Sequence, residues 1–257
     1  MLELKNITKI YNQGTITETS LFNDFNFCVS DGEFVSIVGS NGSGKTSMLN
    51  IICGSIPIEG GEILIDGKRI NDLTEYKRYR TIGRIFQNPA VSTCPDLTLL
   101  ENMALADNKG QPFGLQFGVS RKRIGYYRDQ LATLHLGLED KLNVRMGSFS
   151  GGQRQAVALV MATMSPLSFL ILDEHTAALD PSTADRIMEL TDRVVHEKKL
   201  TALMVTHNLR YAVEYGTRVV MMDKGQIVLD KSGADKAATT VNDLLGIFNR
   251  ISIECGN

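Results

Sequence analysis

Short apolar runs separated by turn signals dominate the first third of the chain. Residues 2–10, 25–29, 34–38 and 61–65 read as strands, punctuated by the pairs Asp31-Gly32 and Asp66-Gly67. One helical stretch, residues 45–53, interrupts them. From 88 to 166 the period lengthens to that of helices. Ile124, Tyr127, Leu131, Leu134 and Leu138 recur at alternating spacings of three and four, which predicts one apolar helix face packed on a core. From Ser168 onward strands (169–172, 202–205, 218–222) alternate with helices (183–197, 209–215), the pattern of a parallel sheet with crossover helices. Residues 169–172 and 219–222 are continuously apolar, as strands covered on both faces are. The tail, 232–257, carries Val241, Leu244, Leu245 and Phe248 at helical spacing, and from its length no additional regulatory domain is expected in it. The Gly-rich stretch 107–119, with Phe113 and Phe117, is either a packed surface loop or a partner contact.

Composition narrows the class. The 257 residues are 43% hydrophobic and 22% charged with a net charge of −2, ordinary for a folded soluble chain and large enough for one large domain or two lobes sharing a core. The balanced charge gives no footprint for bulk nucleic acid, so none is expected as a partner. No run approaches the ~20 apolar residues of a membrane helix; the best, 157–172, is broken by Ser165, Pro166 and Ser168. The N-terminus lacks an apolar signal core, and the chain is expected to stay in the cytosol. Cys28, Cys53, Cys94 and Cys255 lie far apart without CxxC spacing and read as reduced thiols.

The chemistry begins at Gly39, Ser40, Asn41, Gly42, Ser43, Gly44, Lys45 and Thr46, which fit GxxxxGK[ST] between an apolar strand and a helix that opens with Ser47. The glycines let successive N–H groups curl around phosphate oxygens, and the helix N-terminus adds its positive end. Lys45 supplies charge to the β/γ-phosphates, and the Thr46 hydroxyl is a natural Mg²⁺ ligand. A metal-binding acid is then expected after a second buried strand. Asp173 and Glu174 follow residues 169–172, Asp173 placed to hold Mg²⁺ through water and Glu174 to activate an attacking water.

These motifs mark nucleoside triphosphate chemistry. Phe149-Ser150-Gly151-Gly152-Gln153-Arg154-Gln155, beginning just over 20 residues before Asp173, resembles the signature element of ABC-family ATPases. Ser150 can cap the helix starting at Gly151, and the two glycines open its backbone to phosphate. Gln87 in Ile85-Phe86-Gln87-Asn88-Pro89 resembles that family's Q-loop, Asp180 in Ala178-Leu179-Asp180 its D-loop, His207 its switch histidine, and Tyr11 the aromatic that stacks on adenine.

The resemblance spans essentially the whole chain and implies an α/β fold: a parallel-sheet core lobe with an antiparallel β subdomain (1–87 and 167–257) and a helical subdomain (88–166). It implies that ATP and Mg²⁺ bind between the phosphate loop of one copy and Ser150–Gln153 of a second, with Gln87 touching metal and water, His207 the γ-phosphate, and Asp180 positioning the opposite site. Phe149 stands where leucine is usual, an apolar exchange expected to preserve packing. His175 replaces the usual proline and reads as a loop residue. Ala156 and Met161 replace common arginines, removing any surface ion pairs those would make.

Finer features, among them Asn88-Pro89 and the run 173–181, resemble ATPases of aromatic amino-acid importers. That resemblance implies a peripheral subunit at the cytoplasmic face of the membrane, coupled through residues 88–105 to multi-spanning permease subunits and working with an extracytoplasmic substrate-binding protein. An exporter or lipoprotein-release ATPase, or a soluble ABC ATPase without a transport role, would carry the same motifs.

Overall fold

In the computed structural model the described residues are 1–109, 111 and 118–254, the last four by backbone alone. Phe113, Phe117 and Cys255, noted above, lie outside them. The chain begins β1 (Leu2–Tyr11), β2 (Thr19–Val29), β3 (Phe34–Gly39), α1 (Lys45–Cys53), β4 (Gly60–Ile65), β5 (Lys68–Arg69), α2 (Glu75–Arg78) and β6 (Ile82–Ile85). Helices α3 (Pro89–Ser92), α4 (Leu99–Asp107), α5 (Ile124–Ala132) and α6 (Gly151–Thr163) follow. It continues through β7 (Phe169–Asp173), α7 (Pro181–Glu197), β8 (Ala202–Val205), α8 (Leu209–Glu214), β9 (Arg218–Asp223), β10 (Gln226–Ser232), α9 (Gly233–Ala237) and α10 (Val241–Glu254).

The strands form two sheets. One is antiparallel, in the order β2-β1-β4-β5; the other runs β10-β9-β3-β8-β7-β6, parallel except for β10. Side-chain alternation along the second sheet builds two cores from one set of strands. Phe169, Ile171, Leu203 and Val205 point to the layer holding α1 and the antiparallel sheet. Leu170, Leu172, Ala202 and Met204 point to the layer of α4, α5, α6 and α7. Strands buried on both faces read as continuous apolar runs for this reason. A smaller cluster seats Leu244 of α10 against Val38, Ala212 and Met221.

Local chemistry moves several boundaries. β2 starts at Thr19, six residues before the predicted strand. Its pairing with β1 shifts register around Asp24, which sits at φ +51°, so Phe22 and Phe25 both face inward and the period of two is lost. The apolar stripe 124–138 is a correction. Helix α5 ends at Ala132, and His135 and Gly137 take left-handed backbone, yet Leu134 and Leu138 still enter the same core. The stripe follows burial past the end of the helix. Strands β6 and β10 go unread in the sequence, β6 because Gly83 and Arg84 interrupt its apolar run and β10 because it is a half-exposed edge. Cys28, Cys53 and Cys94 are free thiols. No helix among the described residues is long and apolar enough to cross a membrane.

Candidate active site

Five parallel strands end on one edge of the sheet, the place where open α/β sheets bind ligands. β3 runs there into Gly39. A Cβ at Gly39 would lie 2.3 Å from the Met222 carbonyl oxygen and 2.7 Å from Ser43 Oγ, so only glycine lets the loop leave the strand so close to β9. The loop returns through Gly44 at φ +102°, and no side chain caps α1. The first N–H groups of that helix therefore open onto the loop, a ready anion seat.

Lys45 is buried, and its Nζ donates to Gly39 O (2.8 Å), Ser40 O (2.8 Å) and Ser43 Oγ (3.1 Å). Burial lowers its pKa from the ordinary lysine value, opposed by the nearby Glu174 carboxylate. The ammonium is thus pinned inside the loop. A cleft of about 310 Å³ opens over it, lined by Tyr11, Leu21, Asn41, Gly42, Ser43, Gly44, Lys45, Thr46, Ser47, Glu174 and His207. The Tyr11 hydroxyl donates to Ser47 Oγ at 3.0 Å, and Lys9 Nζ lies 5.3 Å from the tyrosine ring centre.

Glu174 and His207 face each other on the far wall, Oε1 to Nε2 at 2.7 Å. Glu174 adopts φ +48°, a conformation that strains a non-glycine residue by ~1–3 kcal/mol. Its N–H donates to Val205 O at 2.9 Å, which extends the β7–β8 pairing one step and holds the strained residue in place. Thr206 Oγ1 accepts the Asn208 N–H, and Asn208 caps α8, so the backbone on either side of His207 is fixed.

Other residues named from the sequence lie off this cleft. Asp173 ends β7, and its Oδ2 accepts a 2.6 Å bond from Arg84 Nη2. Gln87 is exposed two residues beyond β6. The Ser40 hydroxyl donates to Asp223 Oδ1 (3.1 Å), so Ser40 offers the loop its backbone while its side chain serves β9. Ser150 and Gln153 cap α6 reciprocally, the Gln153 N–H on Ser150 Oγ (3.3 Å) and the Ser150 N–H on Gln153 Oε1 (3.1 Å). A Cβ on Gly152 would meet Thr183 Cγ2 at 2.3 Å, so this glycine is required by the approach of α7. Asp180 caps α7, accepting the Thr183 N–H at 3.1 Å. None of Ser150–Gln153 lines the cleft.

The family model for ABC transporters matches residues 22–177. The chain belongs to the ABC transporter family. It is 42% identical over 248 residues to the tyrosine transport ATP-binding protein of Clostridioides difficile, covering 96% of this chain and 98% of that one. The phosphonates import ATP-binding protein PhnC of Lactococcus lactis is 32% identical, over 90% and 92%. Among solved structures, a dimeric ATP-binding cassette in a post-hydrolysis state, bound to ADP and Pi, superposes with TM-score 0.75 at 32% identity, over 90% of this chain and 98% of that one. The protein is the ATP-binding, ATP-hydrolysing subunit of an ABC transporter.

Within this ABC ATPase, Phe149 is buried in the helical core, the apolar role expected of it. Ala156 is fully buried, so an arginine has no room there. His175 sits in the loop after Glu174 with its ring buried, Nε2 3.2 Å from Thr191 Oγ1. Sequence reasoning missed Arg84; an arginine inside the apolar run 82–86 was the available signal.

Proposed function

We propose that this ABC ATPase acts as one of two copies that power import of a small solute such as an amino acid. The observation carrying the two-copy reading is the division of the machinery: the phosphate loop, Glu174 and His207 share one cleft, and the capped Ser150–Gln153 helix start lies outside it. In this reading 1–87 and 167–257 form the nucleotide-binding lobe. The 88–166 subdomain presents Ser150, Gly151, Gly152 and Gln153 to the ATP held by the other copy, where Asp180 positions the facing site.

Each residue then has a physical task. Tyr11, steadied by Ser47, stacks on adenine. The Gly39–Ser47 segment donates N–H groups to the phosphates, and Lys45 adds a buried positive charge beside them. Glu174 accepts the proton of the attacking water, and His207 holds that carboxylate and contacts the γ-phosphate. The residues present fit Mg²⁺, which favours hard oxygen donors. Thr46 offers a hydroxyl, Gln87 an amide oxygen, and Asp173 its Oδ1, which makes no hydrogen bond among the described residues. When bound, the ion supplies neutralisation of charge on the phosphate oxygens.

The importer reading rests on the relative at 42% identity, named for tyrosine transport. A separate permease would span the membrane, with this subunit at its cytoplasmic face. A groove of about 340 Å³ between α3 and α4, bounded by Tyr76, Val91, Cys94, Leu105, Lys109 and Met161, suits a short permease helix, since Tyr76, Val91 and Leu105 leave apolar surface exposed. An extracytoplasmic binding protein would deliver the solute.

The test is an affinity pull-down of tagged Glu174→Gln chain from detergent-solubilised native membranes with ATP and Mg²⁺. Co-purification of a multi-spanning subunit is the expected result, and its sequence would address direction and solute. Soluble partners alone, from chain shown to bind ATP, would contradict the transport reading.

A further inference from the structure

Arg84 is a charged side chain buried on β6, the strand beside the one that ends in Asp173. Its guanidinium does two things at once. Nη2 donates to Asp173 Oδ2 at 2.6 Å, and Nη1 donates to Asn50 Oδ1 at 2.9 Å, on the helix that opens with Lys45 and Thr46. The plane also lies 4.6 Å from the Phe86 ring centre, the residue before Gln87. Nε is buried without a well-aligned hydrogen-bond partner among the described residues, with the Cys53 thiol and the Tyr79 hydroxyl beside the guanidinium. A buried ion pair with an unsatisfied donor is a poor way to stabilise a core, where an apolar side chain of similar volume does as well or better. What the arginine supplies is geometry. Its rigid fork fixes two oxygen atoms on two different elements at a set angle, which a lysine ammonium cannot do.

We infer that Arg84 is a positioning residue: by holding Oδ2 it turns Asp173 Oδ1 toward the divalent cation that accompanies ATP and ties that carboxylate to the Thr46 helix through Asn50. The inference rests on the proposed placement of the cation at Thr46 and Asp173. A carboxylate free to rotate would present either oxygen, and partners that orient metal ligands are typically worth 10–100-fold in metal affinity.

The test titrates a fluorescent ATP analogue onto the full-length chain, in EDTA and at increasing Mg²⁺, for wild type, Arg84→Lys, Arg84→Met and Asn50→Ala, with a melting curve for each. In wild type, Mg²⁺ should tighten nucleotide binding. In both Arg84 variants the Mg²⁺ needed for half the effect should rise about 10-fold or more, while affinity in EDTA stays at the wild-type value. Asn50→Ala keeps the ion pair and should shift the same way by less. An unchanged Mg²⁺ requirement in Arg84→Lys overturns the inference, as does an equal loss of affinity with and without metal, which marks a fold defect. Should neither Arg84 variant fold, Asn50→Ala decides by the same criterion. A wild-type affinity indifferent to Mg²⁺ overturns instead the placement of the cation, and the inference with it.

Discussion

Glu174 and His207 meet across the adjacent ends of β7 and β8, carboxylate Oε1 to imidazole Nε2 at 2.7 Å, with both side chains facing the cleft over the phosphate loop. The ends of two neighbouring strands set this pair. The imidazole fixes the orientation of the carboxylate, and the strained left-handed backbone at Glu174 aims it.

If the two act as one unit, their losses should not add. Glu174→Gln is expected to lower turnover by about 10²–10⁴-fold while ATP still binds. His207→Ala should lower it comparably, and the double variant should fall little further. Steady-state phosphate release beside equilibrium nucleotide binding measures this; full additivity would separate the two roles.

Lys45 holds the loop together, and in the proposed reading it also faces the phosphates. Lys45→Ala removes three hydrogen bonds and one charge, so ATP-analogue affinity should drop by about 10- to 100-fold. A titration showing wild-type affinity would contradict the loop assignment.

The Gly152–Thr183 approach makes a stability prediction independent of chemistry. Gly152→Ala places a methyl 2.3 Å from Thr183 Cγ2 and should destabilise the chain by about 1–3 kcal/mol. Thr183→Ser removes that methyl and keeps the hydroxyl, so the double variant should recover most of the loss in urea denaturation.

His175 makes a prediction about acid. Burial lowers its pKa to about 4, and with the Thr191 hydroxyl donating to Ile187 O, Nε2 must carry the proton that bonds Thr191 Oγ1. Between the unfolded value near 6.5 and about 4, the unfolded chain binds the extra proton and the folded chain does not. Stability should therefore fall as pH drops through that window, by about 3 kcal/mol in total for this group. His175→Gln keeps a donor and loses the titration, so its urea midpoint should depend less on pH there than that of wild type.

Much of this was legible in the sequence because it rests on local rules. Residues 39–46 between a strand and a helix, and Asp173-Glu174 after an apolar run, mark the proposed phosphate seat and the proposed base without tertiary information. What stayed hidden depends on neighbours distant in sequence. Arg84 acquires meaning only when β6 lies beside β7. From the sequence Gly152 reads as an opening for phosphate, and the structure adds Thr183 as the neighbour that forbids a larger residue. The stripe 124–138 exceeds α5 because burial continues through the turn at His135 and Gly137.

In the proposed two-copy reading, one chain carries only half of each working site. The most direct measurement is sedimentation velocity of purified full-length Glu174→Gln with and without ATP and Mg²⁺. A monomer that becomes a dimer on adding ATP, and no longer does so when Ser150→Arg is added, is the predicted result. A chain that binds ATP to saturation and remains a monomer at every concentration would contradict it.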